Sequence, residues 1–109
     1  MELKTLQTTL REFAVERNWQ TFHTPKSLAM ALTVEAAQLA EIFQWLTPEQ
    51  SCAACDDPVL QERIADEVAD VLLYLMQIAG YTGIDLKHAV GRKLVKNSNK
   101  HARCGPDRR

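Results

Sequence analysis

Residues 24–46 read Thr-Pro-Lys-Ser-Leu-Ala-Met-Ala-Leu-Thr-Val-Glu-Ala-Ala-Gln-Leu-Ala-Glu-Ile-Phe-Gln-Trp-Leu, and this stretch decides the fold. Thr24 is a good N-cap and Pro25 suits the first helical position, so a long helix opens here and runs to about Leu46, where Thr47-Pro48 stops it. One stripe is apolar: Leu28, Leu32, Ala36, Leu39, Phe43 and Leu46. A second, Ala31, Glu35, Gln38, Ile42 and Trp45, is apolar at its ends and polar at its centre. A helix that merely covers a core has no use for that second stripe.

On the N-terminal side, Leu3, Leu6, Leu10 and Phe13 recur at helical spacing and predict a helix over 2–18, with Asn18 to His23 as a break. On the C-terminal side, residues 47–57 form a polar connection, and Asp57-Pro58 repeats the cap-and-proline start. The helix that follows ends near the Gly80 to Gly83 stretch. Leu60, Ile64, Val68, Val71 and Leu75 are its expected core face, with Arg63, Glu67, Asp70 and Tyr74 in one line along the edge. Asp85 caps a last helix with Leu86, Val90 and Leu94 inward and Lys93, Lys96, Asn97 and Lys100 on an adjoining stripe. Residues 1–101 thus form one domain, and 102–109, with Gly105-Pro106, are expected to be a disordered tail.

Composition agrees with an all-α fold. Of 109 residues, 46% are apolar; Ala and Leu number 13 each, against 11 for Val and Ile together, which disfavours a β-sandwich or barrel. A net charge of −1 advertises neither duplex nucleic acid nor an anionic membrane as a partner. The N-terminus has no hydrophobic signal core and no apolar run is long enough to span a bilayer, so the expected location is cytoplasmic. Cys52-Ala-Ala-Cys55 has neither a second pair nor a nearby His, and reads as plain thiols rather than a zinc site. A helix of more than 20 residues with two contact stripes is hard to cover within so short a chain. The expected architecture is a four-helix bundle-type protomer whose core is shared between protomers of a homo-oligomer.

Glu35, Glu41, Glu67 and Asp70 come from two helices that the pattern makes neighbours. Carboxylates at the margin of an apolar face are costly unless neutralised, and a hard divalent cation such as Mg²⁺ is a natural partner. The alternative is a set of exposed helix-surface ion pairs, for example Glu67 with Arg63. A ferritin-like di-iron bundle would require Glu-x-x-His pairs, which neither acidic cluster contains. The lysine stripe offers ammonium donors, and Asn97 an amide, for a polyphosphate; Trp19, Phe22, His23, Trp45 and Tyr74 offer aromatic planes for a base.

Four segments carry a more specific signal: Phe22-His23-Thr24-Pro25-Lys26-Ser27-Leu28, Glu35 through Trp45, Asp66-Glu67-Val68-Ala69-Asp70-Val71-Leu72, and Lys93-x-x-x-Asn97. In this order they resemble the MazG-like, all-α NTP pyrophosphatases, most closely the dCTP pyrophosphatase branch. The resemblance implies Mg²⁺-dependent hydrolysis of a nucleoside triphosphate, a dNTP such as dCTP, to monophosphate and pyrophosphate. It implies a house-cleaning role, Mn²⁺ as a substitute metal, and a homodimer or homotetramer. By position it makes Glu35, Glu67 and Asp70 metal ligands together with Gln38, and Glu35 or Glu41 the group that orients water. Trp19, His23, Trp45 and Tyr74 line the base and sugar pocket, and Lys93 and Asn97, helped by Lys96 and Lys100, contact phosphate. One departure stands out: Gln38 occupies the place of the second acid in the family's E-x-x-E. An amide oxygen can ligate a metal but brings no charge and takes no proton at neutral pH. The alternative function is therefore a catalytically weakened nucleotide-binding or helical interaction module.

Overall fold

The computed structural model describes residues 2–18 and 23–101. The chain is all-α, with helices α1 (Leu3–Glu16), α2 (Pro25–Phe43), α3 (Pro48–Cys52), α4 (Pro58–Tyr81) and α5 (Leu86–His101). The expected tail at 102–109 lies outside the described residues. Local chemistry accounts for the ends of these helices. Thr24 Oγ1 accepts from Ser27 N (3.0 Å) while Ser27 Oγ accepts from Thr24 N (3.0 Å), a reciprocal cap on α2. Asp57 Oδ1 accepts from Val59 N and Leu60 N at 3.1 and 3.2 Å, capping α4. At the other end of α4, Ile84 N donates to Ala79 O (2.9 Å) and Gly83 N to Gly80 O (3.4 Å). Gly83 supplies the positive φ of 70° that this termination requires.

Two boundaries differ from the sequence expectation. Helix α2 stops at Phe43, three residues early, so Trp45 leaves the helix. Within the 47–57 connection, Thr47 and Gln50 form a second reciprocal cap, at 2.9 and 3.1 Å, which nucleates the short α3.

Helices α2 and α4 form the central antiparallel pair, and α1 packs beside α4. The core lies where the three meet: Leu28 of α2, Met76 and Ala79 of α4 and Ala14 of α1 are buried. Gln7 Nε2 donates to Met76 O across the α1–α4 contact (2.8 Å). The expected core face of α4 needs correction. Leu60, Ile64 and Val71 are partly covered, but Val68 and Leu75 are exposed, because the line turned toward α2 runs through Glu67 and Tyr74 instead. On α5, Leu86 is partly covered while Val90 and Leu94, expected inward, are 54% and 63% exposed, since among the described residues α5 makes no extended contact with another helix. These residues leave apolar stripes uncovered within one chain.

Candidate active site

The antiparallel register sets Glu35 and Gln38, one turn apart on α2, opposite Glu67 and Asp70 on α4. Glu35, Glu67 and Asp70 each offer a carboxylate oxygen, and these oxygens lie within 4.8 Å of one another. Glu35 and Glu67 are half-buried. The Gln38 amide lies between them: oriented as hydrogen-bonding chemistry requires, with its nitrogen toward the carboxylates, it donates to Glu35 Oε2 (3.1 Å) and Glu67 Oε1 (3.2 Å). The Glu67 carboxyl is held above its usual range, first by a hydrogen bond with Glu35, then by desolvation, and then by the negative charges of Glu35, Asp70 and Asp66. The cluster therefore has a deficit of positive charge. Oxygen donors crowded at this spacing fit a hard divalent cation.

Beside the cluster opens a concavity of about 320 Å³, lined by Gln38, Glu41, Ile42, Arg63, Asp66 and Glu67. Glu41 thus shares the opening with Glu67, one of the three clustered acids. Asp66 borders it too, a residue the sequence reading used only as part of a motif; its place beside Glu67 on the turn facing α2 was the available signal. The proposed Glu67–Arg63 ion pair is not formed. The ion pair Lys4–Asp85 (3.7 Å) lies at the surface, away from the cluster. A larger concavity, about 510 Å³, lies between α1 and α4, where the Arg11 guanidinium sits 5.4 Å from the centre of the Tyr81 ring. It contains none of the clustered acids.

The other candidate residues are dispersed. Trp19 lies outside the described residues. His23 is half-buried and meets Tyr81 edge-on, with ring centres 6.3 Å apart and planes at 80°. Trp45 is 86% exposed. The two residues flank opposite ends of α2, a 19-residue helix roughly 29 Å long, and so do not share a pocket within one chain. Tyr74 stands one turn beyond Asp70 on α4 and is half-buried. Among the described residues, no hydrogen bond or ion pair joins Lys93, Lys96 or Asn97 to the acid cluster; Lys93, Lys96 and Lys100 are exposed and Asn97 half-buried on α5.

A family model described as MazG-like matches residues 30–105, which include all the clustered acids. The chain belongs to the MazG-like family. Among the MazG-like relatives, dCTP pyrophosphatase 1 of Homo sapiens is 38% identical and that of Bos taurus 37% identical, each over 90 residues. In both cases the match covers 83% of this chain and 53% of the relative, so the chain spans about half the length of these curated relatives. A crystal structure of a pyrophosphatase from Archaeoglobus fulgidus superposes with a TM-score of 0.82 at 36% identity, covering 90% of each chain. No helix among the described residues is long and apolar enough to cross a membrane.

Proposed function

We propose that this chain is a nucleoside triphosphate pyrophosphohydrolase that converts a dNTP, with a dCTP-like pyrimidine favoured, to dNMP and pyrophosphate, and that it cleans the cytoplasmic nucleotide pool. The carrying observation is the convergence of Glu35, Glu67 and Asp70 oxygens within 4.8 Å on the α2–α4 seam. Membership of the MazG-like family and similarity to proteins named dCTP pyrophosphatase support it.

In this reading Glu35, Glu67 and Asp70 hold Mg²⁺, or Mn²⁺ in its place, with Gln38 as a neutral fourth contact. Bound there, the cation supplies positive charge against the triphosphate and favours attack at phosphorus. The chain's own task is positioning and electrostatics. Glu35 or Glu41, both at the seam, orients the attacking water toward the α-phosphorus, and pyrophosphate leaves from the opposite side. Lys93 and Asn97, assisted by Lys96 and Lys100, neutralise the phosphate chain. Trp19, His23, Trp45 and Tyr74 wall the base and sugar.

The separation of His23 from Trp45, together with the uncovered apolar stripes of α4 and α5, favours a homodimer or homotetramer in which copies of the chain complete one another's sites. A panel of deoxynucleotides and ribonucleotides tests the substrate assignment. The expected result is fastest pyrophosphate release from pyrimidine dNTPs; ribonucleotides hydrolysed much faster than every dNTP would refute it. The hydrogen bonds from Gln38 to two of the acids favour a second reading, a chain that binds metal and dNTP but turns over slowly. That reading expects Gln38→Glu to raise kcat more than it lowers KM.

A further inference from the structure

Gln38 does something at the cluster that an acid cannot. Three carboxylates within 4.8 Å of one another repel when no cation lies between them. The Gln38 amide is the polar group between two of them, and one end of it lies 3.1 Å from Glu35 Oε2 and 3.2 Å from Glu67 Oε1. Carboxylate oxygens accept, so in this setting the amide must present N–H. A glutamate there would place a fourth carboxylate at the same spot.

A primary amide carries a donor and an acceptor on the same carbon, and the terminal torsion of Gln is soft and close to two-fold. Half a turn about Cγ–Cδ replaces the nitrogen by an oxygen with little movement of the remaining side chain. Amide oxygens belong to the ligand set of hard divalent cations. Gln38 is also exposed, so no packing blocks that rotation. We propose that Gln38 is a two-position side chain, whose amide nitrogen ties Glu35 to Glu67 in the metal-free protein and whose amide oxygen turns to the cation when one is bound. This inference rests on the metal-centre reading above. It makes Gln38 a positioning residue that keeps the acids converged before loading, at the cost of weaker metal affinity than a glutamate would give.

The test is titration of Mg²⁺ into the full-length, nucleotide-free protein. It follows the side-chain amide resonances of Gln38, assigned by their loss in Gln38→Met, and the dissociation constant from calorimetry. In the metal-free protein the Gln38 amide protons should be shifted downfield of those of exposed glutamines. At saturating Mg²⁺ they should move to the exposed-glutamine position. Gln38→Met, of similar length but with neither donor nor ligand, should melt lower without metal and bind Mg²⁺ ~10-fold more weakly than the native chain, the scale of losing a supporting contact at a metal site. Gln38→Glu should also melt lower without metal but bind Mg²⁺ more tightly. Native-like or tighter Mg²⁺ binding by Gln38→Met would show that the amide only clamps and never ligates, which overturns the proposal, as would amide resonances unmoved at saturation. If Mg²⁺ does not bind the native chain, or binds it and Glu67→Gln alike, the metal-centre reading itself fails and this inference falls with it.

Discussion

Replacing Met76 with Ala probes what holds α4, and therefore Glu67 and Asp70, in place. Met76 is 0% exposed, lies where α1, α2 and α4 meet, and carries the carbonyl that Gln7 Nε2 bonds at 2.8 Å. Buried Met-to-Ala changes cost about 2–5 kcal/mol, depending on how far the site collapses. Met76 also lines the open groove between α1 and α4, so part of the space it vacates joins solvent-accessible volume, which places the cost near the lower end. About 2–3 kcal/mol is expected, or roughly 10–20 °C in melting temperature for a domain of this size. Differential scanning calorimetry of both proteins at one fixed concentration is the assay, since association would make the melting temperature concentration-dependent. Nine residues of α4 separate Met76 from Glu67, roughly 14 Å along the helix, so Mg²⁺ affinity measured below the transition should be unchanged. A loss below about 1 kcal/mol would refute the packing argument, because surface substitutions change stability by only about half that amount. Normal stability with weakened Mg²⁺ binding would refute the separation between core and site.

Other consequences follow from the same geometry. Asp70→Asn removes one of the three converging carboxylates with almost no change of shape; kcat/KM should fall ~10²–10³-fold, the scale of losing one charge-stabilising contact, while helical circular dichroism is retained. Because Glu67 takes up its proton more readily in the folded chain than in the unfolded one, the folded state binds more protons above the ordinary carboxylate range. Metal-free protein should therefore become more stable as pH falls from neutral toward the ordinary carboxylate pKa, and less stable as pH rises through the raised Glu67 value. Chemical denaturation across pH should lose this slope in Glu67→Gln. The α5 cap Asp85 works in the opposite direction: the His88 N–H, chiefly, and Lys4 lower its pKa, so its contribution is lost only at more acid pH, and the two effects separate. Light scattering at micromolar concentration should show a dimer or tetramer; a monomer would leave Val90 and Leu94 needing another cover.

The helical pair and its acids were legible because their signals are local and periodic. Thr24-Pro25 and Asp57-Pro58 announce two helix starts, and the spacing of Glu35 with Gln38, and of Glu67 with Asp70, holds on any α-helix whatever it packs against. Burial was less legible. Val68, Leu75, Val90 and Leu94 satisfy a helical apolar period, yet period reports that a face is apolar and not what covers it. The short α3 was hidden in a segment that reads as polar, although Thr47-x-x-Gln50 is a capping pattern once looked for. The spread of His23 and Trp45 to opposite ends of α2 follows from simple counting along the helix, so a base pocket that uses both would draw them from different copies of the chain. The amide of Gln38 was the least legible feature. Its residue type allows either end to face the acids, and only the three-dimensional approach of Glu67 from α4 decides that the nitrogen does.

The central claim is water attack on the α-phosphorus of a dNTP at the Glu35, Glu67 and Asp70 cluster. The most direct measurement is hydrolysis of dCTP by the full chain with Mg²⁺ in ¹⁸O-enriched water, with products resolved by mass spectrometry. The expected result is equimolar dCMP and pyrophosphate with the label in dCMP, and no products when Mg²⁺ is chelated. Label in inorganic phosphate or pyrophosphate, or binding of dCTP without turnover, would contradict the account.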